Sequence, residues 1–80
     1  MTTQEAISIR LSQLFKEKGF TTNGIAIYAA VPQSTVKSIL NGESKNPGVV
    51  TLKKICDALD ITLGEFFNTT LFDQLEQEIQ

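Results

Sequence analysis

Apolar residues in this 80-residue chain recur every three or four positions, and that period restricts its fold more than any other feature. Ile7, Leu11, Leu14 and Phe15 fall on one face of a helix running from about Gln4 to Lys18. Lys16 and Lys18 suit the negative end of its dipole, and Gly19 ends it. Val, Ile and Thr never form a clean period-two run bounded by turn signals, so no strand is expected. The chain is long enough for one small core and carries no repeat or low-complexity tract.

Further helices follow the same period. Thr22 to Ala29, with Thr21 or Thr22 as its cap, presents Ile25, Ala26 and Ala29 as a small-residue face. Pro32 suits the first turn of the next helix, whose buried stripe is Val36, Ile39 and Leu40 and which stops at Asn41-Gly42. Residues 43–48, ESKNPG, read as a polar loop. Thr51 to Leu59 is helical through Leu52, Ile55, Ala58 and Leu59. Thr62 with Glu65 forms a capping box ahead of Phe66 and Phe67. Over residues 69–80, Leu71, Phe72, Leu75 and Ile79 predict a last helix. The expected core is Ile7, Leu11, Leu14, Ile25, Ala29, Val31, Val36, Ile39, Leu52, Ile55, Leu59, Leu63 and Phe66.

Two short helices joined by Ala29-Ala30-Val31-Pro32 cannot bury their own faces, so flanking helices must complete the core. The second then shows Gln33, Ser34, Lys37 and Ser38 on its outer side. Gln can bond an adenine edge at two points, Ser can meet several bases, and Lys can neutralise a phosphate. Charge is divided accordingly. Residues 1–59 hold all seven bases and four acids, whereas residues 60–80 hold five acids and no base. A mildly basic body with an acidic end fits a polyanion on one side only, and Glu76 and Glu78 are expected to point away from it.

Residues 19–42, GFTTNGIAIYAAVPQSTVKSILNG, resemble the helix-turn-helix of the Cro/C1-type (XRE-like) DNA-binding proteins. The similarity extends upstream to Ile7, Arg10, Leu11 and Leu14, and downstream through NPGVVTLKKICDALDITLGEFF, residues 46–67. It implies an all-α, compact five-helix lambda-repressor-like domain over residues 1–67. Residues 68–80 would be a C-terminal helical extension and a possible dimerisation element. It also implies binding to double-stranded operator DNA, often as a two-fold homodimer. The family's base-reading positions fall on Gln33, Ser34 and Ser38, with Lys37 alongside. Its phosphate-contacting positions fall on Thr22, Asn41, Ser44 and Lys45. The family often has Gln at Thr22, Gly at Ala30 and Ser at Pro32. An Ala held at positive φ costs about 1–2 kcal/mol, so the turn is expected to be adjusted or strained.

The implied function is a sequence-specific transcriptional regulator, favoured as a repressor that occupies its operator. The alternative is a protein-interaction module, antitoxin-like or of phage type, that uses Leu71, Phe72, Leu75 and Ile79 against a partner. Salt-sensitive duplex binding favours the first, and a tight protein partner without duplex affinity the second. An enzyme has little support: there is no histidine, no phosphate-binding glycine loop and no nucleophile–base pair. The lone Cys56 lies among apolar helix positions and reads as a small buried hydrophobe. No cofactor, metal or small-molecule ligand is expected, and control by a regulatory protein or by protein concentration is favoured instead. No apolar run approaches the roughly 18 residues of a membrane span, and the chain reads as a complete cytoplasmic protein.

Overall fold

The computed structural model describes residues 1–79 and contains five α-helices and no strand. They are α1 (Thr3–Lys18), α2 (Thr22–Ala29), α3 (Gln33–Leu40), α4 (Val49–Ala58) and α5 (Leu63–Phe67), followed by a 3-10 turn at Thr70–Phe72. The all-α five-helix fold expected from the sequence is the one observed.

Local chemistry sets the helix ends. Thr2 and Glu5 form a reciprocal capping box at the start of α1, and Thr62 and Glu65 form another at α5. Thr21, rather than Thr22, caps α2 through a bond from the Gly24 N–H at 3.0 Å. Gly19 closes α1 in the left-handed region at φ 74°. At the end of α2 the same conformation is held by Ala30, at φ 56° and ψ 43°. The turn is therefore strained rather than adjusted. The Val31 N–H donates to the Ala26 carbonyl at 3.0 Å and that of Ala30 to Ile27 at 3.3 Å, bonds that hold the chain there.

One core unites the helices. Twelve of the thirteen expected core residues are buried, and Leu63 is half-buried at its edge. Ala6, Phe15, Ala26 and Cys56 complete it. Leu40, expected in the buried stripe of α3, is half-buried too. Burial pushes the Cys56 thiol above its ordinary pKa, which suits a packed rather than a reactive sulfur. α3 packs on α1 and α2, and α2 also packs on α4. Arg10 ties α1 to α5, because its Nε and Nη2 donate to the carbonyls of Phe66 and Glu65, each at 2.8 Å. Those are orphan carbonyls of a five-residue helix, so one guanidinium caps α5 and fixes its place.

The helix expected over residues 69–80 does not form. The 3-10 turn at Thr70–Phe72 is followed by non-helical chain to Ile79, and Gln80 lies outside the described residues. Thr69 explains the start: its hydroxyl accepts the Leu71 N–H at 3.2 Å and holds a turn. Asp73, Glu76 and Glu78 have no basic residue near them in sequence to support a short helix. Phe72 still packs, with its ring 4.9 Å from Phe67 and 6.1 Å from Phe66. Leu71 and Leu75 are half-buried, whereas Ile79 is 84% exposed.

Candidate nucleic-acid interface

α3 is built to hold one row of side chains outward. Val36 and Ile39 are buried, and Gln33, Ser34 and Lys37 are exposed on the opposite side. Ser38 is half-buried at the margin of that row. The row is polar, with one cation and no acid. Pro32 gives α3 no side-chain cap. The main-chain N–H groups of Thr35 and Val36 donate to the Pro32 carbonyl, whereas those of Gln33 and Ser34 keep no partner among the described residues. They form a donor site for an anion at the head of the exposed row.

The loop after α3 is pinned to that helix. The N–H groups of Glu43 and Ser44 both donate to the Ser38 carbonyl, at 2.9 and 3.2 Å. Gly42 takes φ 72° to make this turn possible. Asn41 and Lys45 are exposed and Ser44 is half-buried. Asn41 lies 3.4 Å from the Glu43 carboxylate through its side-chain amide. Thr22, at the first position of α2, is half-buried. Tyr28 is 74% exposed, which leaves it outside the packing. Among the described residues, Lys37 and Lys45 form no ion pair, whereas Lys53 pairs with Asp57 four residues away.

Three further contributors surround this site, and two of them gave no sequence signal. Gln4 donates its side-chain amide to the Gly42 carbonyl, and Ser8 donates its hydroxyl to the Leu40 carbonyl. One turn apart on α1, they satisfy carbonyls at the exit of α3 and join the loop to the body. In the sequence both look like solvated helix positions, because only tertiary placement shows what they reach. The third contributor is the tail. Glu76, Gln77 and Glu78 line the same cleft as Lys45 and Asn46, beside the loop rather than away from it. The acidic end thus shares a cleft with one lysine of the basic body.

Among the described residues, no group of three metal-ligating side chains comes together, and no helix is long and apolar enough to cross a membrane. What the surface offers is a convex row of hydrogen-bonding groups flanked by backbone donors and lysines. That arrangement can read a groove edge while holding a polyanionic backbone.

Comparison with known proteins agrees in family and in fold. The family described as the Cro/C1-type HTH DNA-binding domain matches residues 10–70. The HTH-type transcriptional regulator SlrR of Bacillus subtilis (strain 168) is 32% identical over 69 residues. That match covers 82% of this chain but 45% of SlrR, so the chain spans less than half the length of this relative. The crystal structure of the prophage Lp1 protein 11 resembles this fold with a TM-score of 0.79 and 33% identity, over 94% of this chain and 100% of that one.

Proposed function

Because the chain belongs to the Cro/C1-type HTH DNA-binding family, we propose that it is a sequence-specific transcriptional regulator that represses by occupying an operator as a homodimer. The observation that carries this is the outward row of α3, where Gln33, Ser34 and Lys37 are exposed directly over a buried Val36–Ile39 stripe. A rigid helix presenting such a row can enter the major groove.

In this mechanism α3 lies in the groove with its N-terminal residues towards the bases. Gln33 bonds an adenine edge at two points, Ser34 and Ser38 contact neighbouring edges, and Lys37 reaches a guanine or a phosphate. Thr22 and the loop residues Asn41, Ser44 and Lys45 grip the backbone on either side and set the register. Two protomers place their α3 helices in successive major grooves about 34 Å apart, so the operator would be an inverted repeat. Occupancy excludes other proteins from the same DNA, which is repression by occlusion. The protein acts where its operator is, in the cytoplasm.

A partner-binding module without DNA affinity is the second reading, and the observation that favours it is Ile79, left exposed by the fold. Leu71, Phe72 and Leu75, expected on the same partner or dimer surface, are partly buried against the protein's own body. Selection from a random duplex library at two salt concentrations separates the two. An enriched inverted repeat with half-sites one helical turn apart supports the dimeric reader. No duplex binding even at low salt overturns it in favour of the interaction module.

A further inference from the structure

The tail after Phe72 is fastened along the start of α1. The Glu76 N–H donates to the Met1 carbonyl at 3.1 Å, and the Glu76 carboxylate lies 3.2 Å from the Met1 nitrogen. The Thr3 hydroxyl donates to the Glu78 carboxylate at 2.8 Å. Next along α1, Gln4 holds the Gly42 carbonyl at the exit of α3. This chain of contacts brings the tail and the loop to one cleft of about 600 Å³, which Glu76, Glu78 and Lys45 all line. Glu78 has no cationic partner among the described residues, and Lys45 has no anionic one.

We infer that the acidic tail is a built-in electrostatic restraint on DNA binding, set beside the loop that grips the phosphate backbone. The inference rests on the DNA-binding reading above and adds a regulatory element to it. A duplex seated on Asn41, Ser44 and Lys45 brings phosphates towards the cleft that Glu76 and Glu78 line. Like charges within a Debye length, about 8 Å at physiological salt, repel. The duplex is then held less tightly, or the tail is displaced from α1. Displacement is feasible because the ties of Glu76 and Glu78 are few and lie at the surface, while the aromatic anchor at Phe72 stays in place. Whatever holds the tail aside, a cationic partner surface for example, raises affinity without touching α3.

The full-length protein tests this by fluorescence anisotropy on a labelled random-sequence duplex, at low and at high salt. Glu76→Gln/Glu78→Gln keeps the size and hydrogen-bonding capacity of the tail and removes both charges. Asp57→Asn/Asp60→Asn makes the same change in net charge at the C-terminal end of α4, away from the loop. The tail variant is expected to bind about three- to tenfold more tightly at low salt, with the gain shrinking below about twofold at high salt. The α4 variant is expected to gain much less. Equal affinity of the tail variant and the unaltered protein overturns the inference, as does an equal gain in both double variants. If none of the three proteins binds duplex at low salt, the DNA-binding reading fails and the restraint fails with it.

Discussion

Ala30 shows how a single residue can be both foreseeable and costly. Its φ of 56° lies where a Cβ crowds the following carbonyl, and the family resemblance had already marked the position as one often held by Gly. Ala30→Gly removes that crowding but loosens the unfolded chain, so a net gain of about 0.5–1 kcal/mol is expected. Thermal unfolding should show it as a midpoint several degrees higher, and a lower midpoint would mean that the turn is not strained. Gln33 carries the other prediction at this scale. Gln33→Ala leaves a surface position without packing and should relax base preference at one operator position, by about 1–3 kcal/mol. A binding profile unchanged across operator variants would remove Gln33 from the base readers. The outward exposure of Gln33 was legible from the buried stripe of Val36 and Ile39. The bonds of Gln4 and Ser8 were not, because a polar residue on a helix surface names no partner until another element comes near.

Helices were legible where their ends carry local signals. The capping box at Thr62 and Glu65 was foreseen, and the structure pairs both groups reciprocally, with bonds of 2.9 and 3.0 Å. Main-chain and hydroxyl bonds from Thr62 hold the Glu65 carboxyl below its ordinary pKa, and Thr2 does the same for Glu5. A carboxyl whose folded-state pKa is depressed adds stability above its unfolded value of 4.5, and that stability is lost as pH falls through the folded value. Acid titration should therefore weaken both helix starts below about pH 4.5. Thr62→Ala should cost about 1 kcal/mol at neutral pH and return the Glu65 carboxyl towards its ordinary range. Chemical denaturation and carboxyl titration by NMR would check the two effects. Without either change, the box would be ornamental. The predicted C-terminal helix failed because its apolar period was the only evidence for it. Thr69 offered the backbone a competing turn, and the start of α1 offered the following acids partners they lacked locally.

At the scale of the whole molecule, α5 is joined to the body by Phe66 in the common core and by Arg10 of α1. Phe66 is fully buried, packs at 4.9 Å against Phe67, and has its own carbonyl bonded by Arg10. Phe66→Ala should cost about 3–5 kcal/mol, a large share of what so small a domain has. Loss of the cooperative unfolding transition in calorimetry is the expected result, and a fully folded variant would show that the core closes without this ring. The sequence by itself determined the helices, the buried faces and the outward row of α3, because period, caps and glycine stops act within a few residues of one another. Only the tertiary structure decided the rest. Arg10 reaching α5, Gln4 and Ser8 holding the exit of α3, and the acidic tail lying beside Lys45 all join residues 31 or more positions apart in sequence. Such pairings depend on how the finished helices pack, and no local pattern encodes them.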